Sequence, residues 1–88
     1  SQARVVLLDL DLRKPKLHLA FEVSNEKGMS TILIGKHSWQ ECIQKTNIPQ
    51  LDYITSGPLP PNPSELLLRP EFDALLKSLH EQYDVIFM

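Results

Sequence analysis

The segment from Val5 to Pro15 constrains this chain more than any other part of its sequence. It begins with the four apolar residues Val-Val-Leu-Leu and continues as Asp9-Leu10-Asp11-Leu12-Arg13-Lys14-Pro15. A short apolar run of this kind indicates a strand buried in a parallel sheet. In open sheets of this type, ligands bind just beyond the carboxyl ends of the strands. The segment therefore predicts a strand from Val5 to Leu8 that delivers two carboxylates to a ligand-binding edge.

Asp9 and Asp11 are the candidate site residues on this edge. Side chains two positions apart on an extended chain face the same way, so both carboxylates can reach one ion. Two acidic residues followed by Arg13 and Lys14 suit a site for magnesium and phosphate. The alternative is that the two aspartates only end a strand and begin a turn, because Asp is also favoured in turns. From the residues alone, both interpretations stay open.

The composition argues against several other kinds of site. The chain has 88 residues and a net charge of −2, which gives no broad basic surface for nucleic acid. Its single cysteine, Cys42, can form neither an internal disulfide nor a cysteine-rich metal site. The histidines His18, His37 and His80 lack the spacing of zinc ligands. No apolar run approaches a length of about 18 residues, which a membrane-spanning helix requires.

The rest of the chain alternates between predicted strands and helices. Two further strands are predicted from their apolar or alternating residues, Leu51 to Thr55 and Tyr83 to Met88. Capping residues mark the predicted helices, which are Thr31 to Gly35, Trp39 to about Lys45 after Ser38, a turn opened by Asn62 and Pro63 that contains Leu66 to Leu68, and a longer helix from Pro70. A loop with a short helical turn is predicted for Leu12 to Lys27, and stiff extended chain for Gly57 to Pro63.

This order of elements predicts an α/β fold, with a parallel sheet of three strands and flanking helices. A parallel strand needs neighbours and helices on both faces. The chain, however, begins four residues before one predicted strand and ends inside another at Met88. We therefore expect residues 1–88 to be the central part of one larger domain.

Four segments of the chain, taken in order, resemble a known family. They are Val5-Val-Leu-Leu-Asp-Leu-Asp-Leu-Arg-Lys-Pro15, Gly28-Met-Ser-Thr-Ile-Leu-Ile-Gly35, Leu51-Asp-Tyr-Ile-Thr-Ser-Gly-Pro-Leu-Pro-Pro-Asn-Pro-Ser-Glu-Leu-Leu67 and Tyr83-Asp-Val-Ile-Phe87. Together they resemble the cytoplasmic kinase domain of the bacterial protein-tyrosine kinases (BY-kinases) of capsular and exopolysaccharide biosynthesis. The resemblance covers nearly the whole chain, and its most specific parts are the Asp-Leu-Asp-Leu-Arg-Lys-Pro and the proline-rich stretches.

The resemblance implies a P-loop NTPase-like fold of the deviant Walker type, with ATP and Mg²⁺ as cofactors. In this family the acidic strand end is called Walker A-prime, and it matches Asp9 and Asp11, which would serve as catalytic, cofactor-binding and metal-binding residues. The glycine-rich phosphate loop would lie upstream of Ser1, and the Walker B aspartate would follow Met88. We therefore expect residues 1–88 alone to be inactive.

The activity implied is phosphoryl transfer from ATP to a tyrosine hydroxyl, including autophosphorylation. By the same resemblance, Asp9 would hold the magnesium hydration shell or accept the tyrosine proton, and Asp11 would share one of these tasks. The family also implies a transmembrane chain-length regulator as activator, either fused or separate, and a homo-oligomeric ring. Its members lie at the cytoplasmic face of the bacterial plasma membrane and take protein tyrosines as substrates.

Two other functions are compatible with the same acidic strand end. A deviant-Walker partitioning or septum-positioning ATPase shares the fold but transfers phosphate to water. A catalytically dead adaptor in polysaccharide export would keep the fold without the reaction. The proline-rich block from Gly57 to Leu67 favours the kinase over the partitioning ATPase.

Overall fold

The computed structural model describes residues 2–88. In that range the strands are β1 (Val5–Leu8), β2 (Gln44–Lys45), β3 (Leu51–Ile54) and β4 (Val85–Phe87). The helices are α1 (Leu17–Ala20), α2 (Met29–Leu33), α3 (Trp39–Cys42), α4 (Pro63–Leu67) and α5 (Pro70–His80). The prediction of an α/β fold is confirmed, as are the positions of its three predicted strands.

The four strands form one sheet in the order β2-β3-β1-β4. The central strand β1 runs parallel to both neighbours, with Val5 opposite Leu51 of β3 and opposite Val85 of β4. The carboxyl ends of these three strands therefore lie at the same edge, which is where a parallel sheet binds ligands. This arrangement places the residues that follow Leu8 and Ile54 side by side.

The prediction of three strands was incomplete, because β2 adds a fourth. A helix was predicted to continue to about Lys45, but α3 ends at Cys42 and Ile43 is already extended, with φ −64° and ψ 133°. Gln44 and Lys45 then pair antiparallel with Tyr53 and Asp52. The Lys45 ammonium group lies 3.0 Å from the Asp52 carboxylate, so a long-range ion pair accompanies the strand.

The core lies on the sheet face that carries Val6, Leu8 and Ile54, all of which are buried. Helix α5 covers this face with Leu75 and Leu79, and both side chains are buried as their helical spacing predicts. Of the predicted apolar turn in α4, Leu66 is buried and Leu67 packs against the core. The prediction was wrong for Leu68, which is 84% exposed, because the helix ends before it.

The predicted helix ends at Gly35 and Ser38 are confirmed, whereas the end predicted near Lys45 and the cap predicted at Asn62 are not. Gly35 adopts a φ of +80° two residues after α2, a left-handed conformation in which glycine carries no steric cost. Ser38 and Glu41 form a reciprocal capping box at the start of α3. Asn62 precedes α4, but its side chain accepts no capping hydrogen bond, so the predicted cap is absent. In residues 2–88, no helix is long and apolar enough to cross a bilayer.

Candidate functional site

Asp9 lies directly beyond the carboxyl end of β1. Its backbone amide donates to the Ile54 carbonyl at 3.1 Å, which extends the pairing of β1 with β3 by one residue. Its side chain is only 8% exposed and accepts three backbone hydrogen bonds. Oδ1 accepts from the Asp11 amide at 3.1 Å, and Oδ2 accepts from the Lys16 and Leu17 amides at 2.9 and 3.0 Å. Asp9 thus closes the turn that leads from β1 into α1.

Asp11 is exposed on the same turn. Its Oδ1 accepts hydrogen bonds from the Lys14 amide at 2.9 Å and from the Arg13 amide at 3.2 Å. These two bonds, with smaller contributions from the positive charges of Lys16 and Lys14, hold the pKa of the Asp11 carboxyl below its ordinary value of 3.8. Asp11 is therefore ionised at neutral pH. Within residues 2–88, its Oδ2 atom receives no hydrogen bond and remains available to a ligand.

The two carboxylates are linked through the backbone but line different hollows. The Leu12 amide donates to the Leu10 carbonyl at 3.0 Å, so the chain turns after Asp9 instead of staying extended. Asp9 borders a hollow of about 310 Å³ that also contains Phe87. Asp11 borders a smaller hollow of about 120 Å³ beside α4. The argument from an extended chain therefore does not describe this turn, and the joint role of the two residues stays a prediction.

The charges of both aspartates lack side-chain partners in the described part of the chain. The ion pairs within 4.0 Å there involve Asp52 and Glu71, and neither Asp9 nor Asp11 takes part in one. Backbone amides orient the two carboxylates, yet they carry no net charge and leave the negative charge in place. Residues 2–88 contain no cluster of three or more metal-binding side chains. This donor set fits a hydrated magnesium ion, which is typically held by one or two carboxylates and by substrate phosphates.

Arg13 lies beside the smaller hollow. Its Nη2 atom is 3.5 Å from the Ser64 hydroxyl, at the start of α4. The hollow is bordered by Leu10 to Arg13 on one side and by Pro63, Ser64 and Leu67 on the other. The acidic turn and the first turn of α4 therefore form two walls of the same depression.

Comparison with known proteins identifies relatives of this chain. The tyrosine-protein kinase YwqD of Bacillus subtilis (strain 168) is 41% identical over 83 residues, which cover 94% of this chain and 35% of YwqD. The structure of the kinase domain of the Escherichia coli tyrosine kinase ETK is 41% identical with a TM-score of 0.89, over 97% of this chain and 33% of that one. The chain is homologous to bacterial tyrosine kinases.

The fold of this chain also matches the crystal structure of the chimerical protein CapA2B2. The identity is 40% and the TM-score is 0.91, over 97% of this chain and 38% of that one. The chain thus spans about a third of the length of each of these three proteins. No family model matches the chain.

Sequence reasoning missed a group of polar residues next to the end of β3. Thr55 and Ser56 are buried directly after the strand, and the amides of Met29 and Ser30 donate to their carbonyl oxygens at 2.8 and 2.7 Å. The side chain of Asn25 joins the same group through Ser56 and Gly57. Polar residues of a predicted loop give no pattern from which such contacts can be read. Only Gly57, at the predicted strand end, was a signal.

The remaining polar candidates lie away from the acidic turn. Tyr53 and Tyr83 are both buried. Burial raises the pKa of the Tyr83 hydroxyl, and its hydrogen bond to Asp52 raises it further. Cys42 is buried in the core, and burial raises the pKa of its thiol. None of these groups reaches the hollows that Asp9 and Asp11 border.

Proposed function

We propose that this chain supplies the magnesium-facing wall of the ATP site in a bacterial protein-tyrosine kinase. The observation that carries the proposal is the pair of carboxylates at the carboxyl edge of the sheet. Backbone amides orient Asp9 and Asp11, and no cationic side chain of residues 2–88 lies within 4.0 Å of either. Similarity to YwqD and to the ETK kinase domain supports the assignment.

The two aspartates have different tasks in this proposal. Asp11 is exposed and its pKa is lowered, so it is a weak base whose free Oδ2 atom suits the hydration shell of a cation. Asp9 is held more rigidly, and its Oδ1 atom accepts a single amide hydrogen bond. That atom keeps lone-pair capacity for a bound water or for the hydroxyl of the acceptor tyrosine.

Phosphoryl transfer requires mostly positioning and charge neutralisation from the protein. Asp9 and Asp11 would hold a magnesium ion, which would supply neutralisation of the phosphate charge. This chain contributes fixed negative groups to hold the ion's waters and a turn whose geometry is set by five amide hydrogen bonds to the two aspartates.

The wider setting is also a proposal, and it rests on the family resemblance. The protein would act at the cytoplasmic face of the bacterial plasma membrane in the control of capsular or exopolysaccharide synthesis and export. It would be stimulated by a transmembrane chain-length regulator and would assemble as a ring. The CapA2B2 chimera, as a fusion protein of this fold, is consistent with a close partner for such kinases.

The proposal is tested by charge removal in the full-length protein. Asp9→Asn and Asp11→Asn keep the size of each side chain, and each should lower the autophosphorylation rate by about 100-fold, the effect of losing roughly 2.7 kcal/mol of transition-state stabilisation. Asp73→Asn is the matched control, because Asp73 is an exposed carboxylate on α5. Phosphotyrosine and free phosphate are both measured in the presence of Mg²⁺ and ATP.

The outcomes separate the candidate functions. Phosphotyrosine that depends on both aspartates supports the kinase. Release of free phosphate without phosphotyrosine would identify the partitioning type of ATPase. Full phosphorylation in both variants would contradict the assigned roles of Asp9 and Asp11.

A further inference from the structure

Asn25 makes three hydrogen bonds to the chain that follows β3. Its Nδ2 group donates to the Ser56 hydroxyl and to the Gly57 carbonyl, both at 2.9 Å. Its Oδ1 atom accepts from the Gly57 amide, also at 2.9 Å. The side chain therefore holds the backbone of Gly57 on both its amide and its carbonyl side. Gly57 has a φ of +76°, so this clamp fixes a sharp change of chain direction.

The surroundings of this clamp are closely packed. A Cβ atom on Gly28 would lie 2.3 Å from the Thr55 carbonyl oxygen and 2.4 Å from the Gly57 nitrogen, so only glycine fits there. The Ser30 hydroxyl donates to the Pro58 carbonyl at 2.7 Å and ties down the next residue. The Asn25 clamp thus connects this closely packed region around Gly28 to the chain that follows Gly57.

That chain is the proline loop, defined here as residues 57–62. Three of its residues are prolines, and Pro63 follows as the first residue of α4. Proline fixes φ near one value, so a segment with this many prolines is stiff. A displacement of Gly57 at its start is therefore carried to the residues at its end. Ser64 is the second residue of α4, directly after the loop, and its hydroxyl lies 3.5 Å from the Arg13 guanidinium group.

The proline loop therefore connects Asn25 with the acidic turn. Arg13 donates its backbone amide to Asp11 Oδ1 and directs its side chain to Ser64. Asp11, Arg13 and Ser64 border one hollow. A shift at Gly57 would move α4 and would open this hollow at the wall opposite Asp11.

We propose that Asn25 is a positioning residue for the Asp11 side of the site. It acts through the proline loop and the contact between Ser64 and Arg13, and it touches neither carboxylate. The inference rests on the proposed kinase function for its catalytic consequence. Its structural part, the coupling of Asn25 to the acidic turn, can be measured without any activity.

The first test is kinetic and uses the full-length protein. The variant is assayed at a temperature where circular dichroism shows full folding. Asn25→Ala should lower the kcat of autophosphorylation about tenfold, because a displaced α4 would disturb the geometry that the reaction requires. Asn25→Asp keeps the acceptor for the Gly57 amide and loses both donors, and it should show a loss of the same sign. Asn47→Ala is the control, because Asn47 is exposed and far from the loop; its kcat should stay within about twofold.

A double-variant cycle shows whether the effect travels through Ser64. Ser64 is exposed, so Ser64→Ala should preserve the fold while it removes the contact with Arg13. If the route is the one proposed, Ser64→Ala and the double variant with Asn25→Ala both lose about tenfold, because the second change removes nothing further. A double variant that loses about 100-fold means two independent effects and would overturn the inference.

The second test is amide hydrogen exchange at Arg13 and Lys14, the donors to Asp11. Asn25→Ala should speed exchange at both amides about tenfold, and Asn47→Ala should leave them unchanged. Unchanged exchange in Asn25→Ala would overturn the coupling even if the wild-type protein proved to have no kinase activity. Faster exchange in Asn25→Ala, found together with a wild-type protein that makes no phosphotyrosine, would support the coupling and would refute only the proposed function.

Discussion

The aspartates at the two edges of the same sheet have opposite kinds of partner. At the amino edge, Asp52 is 5% exposed and receives side-chain partners only: the Tyr83 hydroxyl donates at 2.6 Å, and the Lys45 ammonium group lies at 3.0 Å. The Arg4 guanidinium group lies 4.0 Å away and stacks over the Tyr83 ring at 4.8 Å. At the carboxyl edge, Asp9 and Asp11 receive backbone amides only.

The difference teaches how charge balance separates a structural carboxylate from one kept for a ligand. The charge of Asp52 is matched within the fold, because Lys45 and Arg4 approach it. Backbone amides orient the carboxylates of Asp9 and Asp11, but no positive side chain in the described range neutralises them. A cation from solution can therefore bind to them. Both arrangements occur in neighbouring strands, since Asp52 is opposite Val6 in β1, three residues before Asp9.

The largest effect on stability is expected from Asp52. Asp52→Ala leaves the buried Tyr83 hydroxyl without its acceptor and should destabilise the full-length protein by about 2 kcal/mol, since a buried donor that loses its partner is costly. Asp73→Ala is the control and should change stability by less than about 0.5 kcal/mol. Urea unfolding followed by circular dichroism measures both. Equal stability of the two variants would show that the amino edge has no structural role.

A smaller loss of stability is expected from Tyr83→Phe. The substitution keeps the buried ring and removes the hydroxyl that donates to Asp52, so it should cost about 1.5 kcal/mol. Autophosphorylation should be unaffected, because Tyr83 lies at the edge opposite the acidic turn. The same urea titration provides the measurement, with Tyr53→Phe as the matched control, because no side-chain hydrogen bond from Tyr53 is present in residues 2–88. A kinase defect in fully folded Tyr83→Phe would contradict the assignment of a structural role to the amino edge and a ligand-binding role to the carboxyl edge.

The smallest effect is the pH dependence of Asp11. Its pKa is lowered in the folded state, so its hydrogen bonds favour folding above the ordinary pKa of 3.8, and that contribution is lost as pH falls through the lower folded-state value. Carbon-13 NMR of the Asp11 carboxyl should therefore give a titration midpoint below 3.8. In Arg13→Pro, which removes one donor amide, the midpoint should rise. A midpoint above 3.8 in the wild type would show that the turn does not form as described.

The sequence predicted those parts of the fold that depend on local pattern. The apolar run at Val5–Leu8 and the helical spacing of Leu75 and Leu79 are local signals. The strand and the helix that they predict are both confirmed. Strand β2 was missed because its two residues, Gln44 and Lys45, are too few to show an alternating pattern. Its pairing depends on Tyr53 and Asp52, which lie nine and seven residues after their partners Gln44 and Lys45 in the chain.

The candidate site was predictable in the same limited sense. The sequence located Asp9 and Asp11 at a strand end, because an acidic pair after an apolar run is a local signal. It could not locate Asn25, whose partners lie more than 30 residues further along the chain. It also predicted from an extended chain that the two carboxylates face the same way. The hydrogen bond from Leu12 to Leu10 replaces that chain with a turn.

The central claim is that the unmatched carboxylates at the carboxyl edge, and not the matched one at the amino edge, face a divalent cation. The most direct measurement is paramagnetic broadening of aspartate carboxyl signals by Mn²⁺ in the full-length protein with a non-hydrolysable ATP analogue. The account predicts that Asp9 and Asp11 broaden at Mn²⁺ concentrations that leave Asp52 sharp. Sharp signals from Asp9 and Asp11, or broadening of Asp52 to the same extent, would contradict it.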